Sequence, residues 1–527
     1  NGAFANLDKK DSWEQHFADT FIEGYGLGDP EIIEKMAQGS CEAITEINSW
    51  GANFEKLENG NFDQRFFGAH TFRRTCYSGD YTGKSILNAL LNKSCELGIP
   101  IYDREYVSSL LVDDNTCFGA LSFNLKNGEK TIHLSDAVIL CTGGHTRNWR
   151  NSSSRKKENN GDGFSLALKA GCDLIDMEMV QFHPTGMVLP MESVGTLVTE
   201  AVRGEGGILF NANNERFMKR YDDKRMELST RDRVALANYT EIIEGRGTSN
   251  GGVFLDISHK SKDLIIKKIP KIYRQFLELQ MLDISKKPME VAPTAHYTMG
   301  GIKVKGSDHS TAVLGLYAAG EVAGGLHGAN RLGGNSLAEI LVFGKIVGKA
   351  AVNYSKSLKF QKRSQNSIKN CIAELNGFIR NGEELSIPIE NRLRNIMWQY
   401  CGVLRDEKKL KKGLDEIREL KKQIKFIDVR VAEGNFEDLT NILDLEAAIL
   451  SNEATLMSAI ERKESRGAHQ RSDYPSLDKS QEYNNLIYFE NNQLRQKKVN
   501  LKEIKGNLKN FISETREIKE LKNRLLE

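Results

Sequence analysis

Apolar residues recur at helical spacing through the last third of the chain. Ile389, Leu393, Ile396, Met397, Tyr400 and Leu404 mark one stripe; Leu410, Leu414, Ile417 and Ile424 mark a second; Ile442, Leu445, Ile449, Leu456 and Ile460 mark a third. Stripes with the helical period, joined by short polar links, predict a helical bundle over residues 353–460. Another stripe, Leu501, Ile504, Leu508, Phe511, Ile518, Leu521 and Leu525, runs amid mixed Lys and Glu. It predicts a solvated helix docked on its own protein in preference to a partner-binding or membrane-surface helix, within a C-terminal region spanning 461–527.

The first part of the chain is patterned for strands and glycine turns. Asp136-Ala-Val-Ile-Leu-Cys-Thr-Gly-Gly144 is an apolar run of strand length that ends in a glycine pair, which predicts a buried parallel strand delivering a tight turn. Leu314-Gly-Leu-Tyr-Ala-Ala-Gly-Glu321 repeats that logic, and Asn335-Ser336 can cap a helix through Leu337, Ile340, Leu341, Val347 and Ala350. Two nucleotide-type turns this far apart predict one binding domain split by an insert. The expected class is α/β. A Rossmann-like binding domain in two parts, 1–172 and 292–352, is interrupted by an α+β capping domain at 173–291 and followed by the helical bundle.

Composition narrows the picture. At about 150 residues per domain, a chain of 527 residues holds several buried cores. With 73 Lys and Arg against 71 Asp and Glu, no global positive field favours nucleic acid. No run approaches the roughly 18 apolar residues of a membrane span. The 8 cysteines show no C-x-x-C pair and no His at metal spacing, so they read as reduced, mostly buried, and no metal site is expected. With 46 glycines against 9 prolines, turns rely on glycine, which suits close approach of the backbone to phosphate.

Five segments carry the candidate chemistry: Gln181-Phe-His-Pro-Thr185, Thr196 to Gly207, Ser229-Thr-Arg-Asp232, Pro293 to Gly301 and His327 to Ser336. They supply His183, Thr199, Arg231, His296 and Arg331, a donor set suited to a small dicarboxylate. Each carboxylate offers two acceptor oxygens and loses hydration on burial. A guanidinium can answer one bidentately while neutral imidazole and hydroxyl donors hold the other. Each residue also has a plainer reading: His183 as a turn histidine before Pro184, His296 as a satisfied core histidine, Arg331 as a tie between loop carbonyls, Arg231 in a local ion pair with Asp232. Glu321, after a strand and a glycine, stands where a ribose or ribityl hydroxyl is held. No Ser-His-Asp or Cys-His arrangement supports hydrolysis.

Together these words resemble the flavoprotein subunit of succinate dehydrogenase and fumarate reductase. The matching segments are His183-Pro-Thr-Gly186, Leu197-Val-Thr-Glu200, Arg203-Gly-Glu-Gly-Gly207, His296-Tyr-Thr-Met-Gly-Gly301, His327-Gly-Ala-Asn-Arg-Leu-Gly-Gly-Asn-Ser-Leu337 and Glu464-Ser-Arg-Gly-Ala-His469. The resemblance implies that the split domain binds FAD, with covalent and non-covalent attachment both open. It implies dicarboxylate binding by His183, Thr199, His296 and Arg331 and proton transfer by Arg231. FAD contacts fall on Thr142, Gly143, Gly144, Asp162, Glu321, Asn335, Ser336 and Leu337.

The implied reaction is hydride transfer between flavin N5 and a carbon of succinate or fumarate. The implied partners, an iron–sulfur subunit with membrane anchor subunits, would hold the chain on the cytoplasmic face of the inner membrane. L-aspartate oxidase, which shares fold and motifs, and a non-catalytic flavoprotein-like subunit stay open as alternatives. Residues 1–60 contain neither the Gly-x-Gly-x-x-Gly fingerprint nor a matching flavin-bearing histidine, and Asn1-Gly-Ala-Phe-Ala-Asn6 resembles the segment just after them. The expectation is a chain lacking about 50 residues of its first βαβ unit.

Overall fold

The computed structural model describes residues 2–3, 10–67, 69–491 and 493–525; of the segment Asn1 to Asn6, only Gly2–Ala3 falls among them. Two helices open the binding domain, α1 (Trp13–Glu23) and α2 (Pro30–Ser49). Ser12 caps α1 by accepting from the Gln15 N–H, and Asp29 caps α2 just ahead of Pro30, whose missing N–H costs nothing in a first helical turn. Helix α3 (Thr82–Glu96) leads to an antiparallel meander, β1 (Glu105–Asp113), β2 (Thr116–Asn124) and β3 (Lys130–Leu134). Next come β4 (Val138–Leu140), with the predicted glycine turn behind it, and α4 (Asp162–Ala170).

The capping segment then builds its own sheet. Its strands are β5 (Val180–Met187), β6 (Ile208–Phe210), β7 (Val253–Asp256) and β8 (Met289–Thr298), in the order β6-β7-β8-β5, with helix α5 (Arg231–Glu241) packed on β5. Because β8 runs on to Thr298, the sheet continues past the boundary drawn at Val291. At the other end, Leu174–Ile175 pairs outside this sheet, and the cap sheet begins at Val180.

The chain returns to the binding domain through β9 (Leu316–Ala318) and the long helix α6 (Asn335–Ser357). β9 pairs in parallel with β4, Leu316 opposite Val138 and Ala318 opposite Leu140, so the two glycine-ended strands are neighbours despite the insert between them. Burial differs from expectation on one edge. β9 is buried throughout, but Ile139 of β4 is 36% exposed, because among the described residues β4 is paired on one side only.

Helices α7 (Gln365–Gly377), α8 (Ser386–Tyr400), α9 (Glu407–Gln423) and α10 (Glu437–Glu461) form the bundle, and the three predicted stripes fall on the last three of them except for Leu404 and Ile424, which lie just past α8 and α9. Leu393, Met397, Leu410, Ile417, Ile442 and Ile449 share one core with Leu111, Phe118 and Phe123 of the meander, so the bundle is anchored on the binding domain. The hairpin β10 (Tyr483–Glu490) and β11 (Gln493–Asn500) joins the sheet strand Leu174–Ile175. The last helix, α11 (Leu508–Leu525), docks on α1, where Gln15 Nε2 donates to Thr515 Oγ1 at 2.7 Å. Leu501 and Ile504 of the predicted stripe precede that helix.

Among the described residues no helix is long and apolar enough to cross a membrane. The cysteines are free thiols, but only Cys76, Cys117, Cys172 and Cys401 are buried, and Cys95 and Cys141 are exposed. The expectation of mostly buried cysteines is corrected to half of them.

Candidate active site

Strand β5 alternates its faces. Phe182 points into the core, with its ring edge-on to Trp149 and Trp398, which leaves Gln181 and His183 on the opposite face. Across from them, β8 pairs Thr294 with His183, then Ala295 with Phe182 and Tyr297 with Gln181. His296 is thus the extra residue of a β-bulge, and the bulge re-aims it toward the face His183 occupies. The two imidazoles meet edge to face with centroids 5.3 Å apart.

His183, Thr199, Arg231, His296 and Arg331 all line one cavity of about 310 Å³, with Glu200, Glu321, Ser336 and Leu337 completing part of its wall. The imidazoles are held from behind. Nδ1 of His183 lies 3.2 Å from both the N and the O of Thr185, and Nδ1 of His296 lies 2.9 Å from Ser153 Oγ. Nε2 is the nitrogen each ring keeps for a ligand. Burial, and then Arg231, push His183 well below the usual imidazole range; burial and then His183 do the same to His296. Both are neutral.

The arginines are oriented by different means. Arg331 donates from NH1 to Ser336 Oγ at 3.0 Å and from NH2 to Gln181 Oε1 at 3.1 Å, and its guanidinium lies 4.1 Å from the centre of the Tyr297 ring. Burial and then Arg231 lower it to about 10, so it stays charged, and its Nε is buried with no protein partner among the described residues. Arg231 donates to Glu200, not to Asp232, which removes the local ion-pair reading. It also donates from NH1 to Gln181 Oε1 at 3.3 Å, so a single amide oxygen sits between the two guanidiniums. Burial alone would push Glu200 up, but Arg231 and Arg203 outweigh it and hold the carboxyl at about 2.

A second group of residues gathers behind the cavity. Thr142, Gly143 and Gly144 form the turn after β4, and Asp162 opens α4 beside them. Gly143 has φ +76°, and a side chain on Gly144 would collide with Glu321 and Thr298. Glu321 Oε1 accepts from the Thr298 N–H at 2.9 Å, and burial pushes its carboxyl up to about 7. Helix α6 begins after Gly334, at φ +92°, with no side chain capping it; the Asn335 N–H donates to the Leu332 carbonyl at 3.3 Å, and the N–H groups that follow suit an anion. Asn335 behaves differently from Ser336 and Leu337. Its side chain is turned away onto α1, with Oδ1 2.8 Å from His16 Nε2 and Nδ2 donating to Thr20 Oγ1 at 2.9 Å. It anchors the helix rather than lining the cavity.

Both groups of residues fall within one matched segment. Residues 2–337 match the FAD binding domain family and residues 390–518 match the family described as fumarate reductase flavoprotein C-term. The chain is 42% identical over 479 residues to one subunit of the fumarate reductase (CoM/CoB) of Methanothermobacter marburgensis, covering 90% of this chain and 86% of that one. The chain belongs to the succinate dehydrogenase and fumarate reductase flavoprotein family. The succinate dehydrogenase flavoprotein subunit of Rickettsia conorii is 35% identical over 500 residues, covering 90% of this chain and 83% of the relative. The solved structure of an E. coli quinol fumarate reductase FrdA variant superposes with a TM-score of 0.91 at 31% identity, covering 96% of this chain and 90% of that one.

The cofactor of this oxidoreductase family is FAD, and the residues present fit it. An uncapped helix start suits a polar ring edge or phosphate, and the glycine turn admits close backbone approach. Thr142 Oγ1 is a buried hydroxyl without a protein partner among the described residues. Sequence reasoning passed over Gln181, Glu200 and Tyr297 as site residues. Gln181 stands two places before His183 on one strand, and that alternation was the signal available for it.

Proposed function

We propose that this chain interconverts succinate and fumarate, with His183, Thr199, His296 and Arg331 holding the diacid and Arg231 moving the proton. The observation that carries the reading is the convergence of all five on one cavity with two guanidiniums, two neutral imidazoles and one fully ionised acid, Glu200, beside Glu321, which burial pushes up to about 7. That balance suits a dianion. A substrate ammonium, as in L-aspartate, would need an unengaged anion here, yet Glu200 is bound to Arg231 and Glu321 is engaged by the Thr298 N–H.

FAD, when bound against Thr142, Gly143, Gly144, Asp162, Glu321, Ser336 and Leu337, supplies the hydride donor or acceptor at N5. The protein supplies orientation and the proton. Arg331, stacked on Tyr297 and tied to Ser336 and Gln181, offers its guanidinium to one carboxylate; His183 and His296 line the cavity for the other. Fumarate reduction needs one proton at the carbon next to the hydride. An arginine is effectively always protonated, so it can donate to a developing carbanion. Glu200 is too strong an acid to store a proton; on this reading it keeps Arg231 aimed and charged.

The relatives named as subunits support a chain that works inside a larger enzyme. On this reading it passes electrons to an iron–sulfur subunit, while membrane anchor subunits hold the assembly at the cytoplasmic face of the inner membrane. The test is anaerobic titration of the flavin-loaded protein. Succinate should bleach the flavin and fumarate should restore it. Bleaching by L-aspartate alone would instead assign an oxidase, and no response to any of the three would assign a non-catalytic subunit.

A further inference from the structure

Each cavity arginine has a chain neighbour in one buried cluster. Asp232 follows Arg231, and Asn330 precedes Arg331. The Asn330 amide nitrogen donates to Glu23 Oε1 at 2.7 Å and to Asp232 Oδ1 at 3.2 Å, while its oxygen accepts from Gln181 Nε2 at 2.8 Å. Tyr25 donates from its hydroxyl to Asp232 Oδ2 at 3.1 Å. Glu23 and Tyr25 come from the end of α1, Asp232 from the capping segment and Asn330 from the second part of the binding domain. The cluster therefore pins three stretches together directly behind the arginines.

Two carboxyl groups on one amide, both withdrawn from water, cannot both ionise cheaply. The helices decide which one gives way. Asp232 lies in the first turn of α5, where the helix dipole favours an anion; Glu23 is the last residue of α1, where it opposes one. Burial, and then Asp232, push Glu23 up to about 8. The other groups facing it are Lys519 of α11, Arg225 and Arg231 from the capping side, and Tyr25 and Asp19 on its own segment. Arg466 grips the Tyr25 carbonyl from the C-terminal region, and α2 meets α1 with the apolar Ile32, Ile33 and Met36.

We propose that Glu23 is a positioning residue for the arginine pair: as a neutral acid it lets Asn330 and Asp232 close on one another, and its ionisation repels Asp232 and draws Arg231 out of line with Arg331. For what the arginines do, this rests on the succinate and fumarate reading; the titration of the cluster stands apart from it.

The test compares the pH profile of fumarate reduction by the flavin-loaded full chain with that of Glu23→Gln, which is isosteric, neutral at every pH and keeps an oxygen for Asn330. The wild-type kcat should fall as pH rises through about 8, roughly tenfold per unit beyond it. Glu23→Gln should hold its kcat across that window with KM little changed; coincident alkaline limbs would overturn the proposal. Should Glu23→Gln fail to fold, Lys519→Met removes a cation facing the acid and must move the limb to higher pH, and an unmoved limb is equally fatal. Difference infrared spectra read the same group without turnover, through a protonated-carboxyl band that titrates away in the wild type and is missing from Glu23→Gln. A band that behaves this way in a protein inactive on both diacids would refute the substrate reading and leave the titration of Glu23 standing. Activity without the band would refute the role given to Glu23.

Discussion

Glu200 Oε2 lies 2.7 Å from Nε and 2.7 Å from NH2 of Arg231, so one carboxylate oxygen takes two edges of the guanidinium and leaves the remaining nitrogen to Gln181. The pair is nearly buried, with each side chain 13% exposed. It determines where Arg231, the proposed proton carrier, points. Arg231→Lys keeps the charge but loses the planar fork that Glu200 and Gln181 grip. Turnover should collapse while fumarate binding, read from the flavin spectrum, changes much less. Equal loss of both would reassign Arg231 to binding.

Glu200→Gln keeps the size of the side chain and removes its charge. Arg231 then loses its counter-ion while Arg203 and Arg331 still repel it, so kcat should fall by up to about 10²- to 10⁴-fold, the range a positioned acid contributes, as Arg231 loses its aim. KM should move less. The variant should also change acid stability. Glu200 is held at about 2, below its unfolded value, so its contribution is present above the unfolded pKa and is lost as pH falls toward 2. Denaturant midpoints measured down that range should drop less steeply for Glu200→Gln than for the wild type.

The two cavity histidines make the opposite kind of pH prediction for binding. Both are lowered by burial and neighbouring cations, so neither gains a proton as pH falls through the ordinary imidazole range near 6.5. Fumarate affinity should show no imidazole limb there. Stability should show one: the unfolded chain takes up protons at these residues and the folded one does not, so the contribution present above 6.5 is lost as pH falls. Replacing His296 by Gln should remove part of that slope, measured by denaturant titration at several pH values.

Much of this site could be read along the chain, and the rest could not, for identifiable reasons. Val138–Leu140 and Leu316–Ala318 announced themselves as parallel strands because an apolar run ending in glycine needs only local chemistry to recognise. The bundle stripes were legible for the same reason, since helical period is local. Position in three dimensions was not. Nothing near Arg231 indicates that its partner is Glu200 rather than the adjacent Asp232, because that choice is made by packing α5 on β5. The bulge that frees His296 is set by register with β5, and Asn335 beside Ser336 turns its amide to α1 only because His16 and Thr20 are there to receive it.

Ser153 carries a fourth prediction. Its hydroxyl is 2.9 Å from Nδ1 of His296 and fixes which nitrogen faces the cavity. Ser153→Ala leaves a buried imidazole nitrogen without that partner, a loss of about 1 kcal/mol or roughly fivefold. On the proposed reading, in which His296 holds substrate and Arg231 moves the proton, the loss should appear as weaker fumarate binding with kcat nearly kept. A drop in kcat at unchanged KM would place His296 in proton transfer instead.

Gly334 ties the backbone to cofactor binding. It occupies φ +92° just before α6, so that Ser336 and Leu337 meet the cavity with the helix's first N–H groups uncapped. An alanine there must either adopt a left-handed conformation, at about 1–2 kcal/mol, or rotate the helix start. Rotation would disturb Ser336 Oγ, which accepts from Arg331, as well as the N–H groups that suit the flavin. Gly334→Ala should therefore raise the dissociation constant for FAD by about 5- to 30-fold, measured by titrating flavin into stripped protein. It should also weaken fumarate binding in the reloaded enzyme. Unchanged FAD affinity alongside an ordinary loss of stability would mean that the glycine serves the turn alone and that the start of α6 is not a cofactor contact.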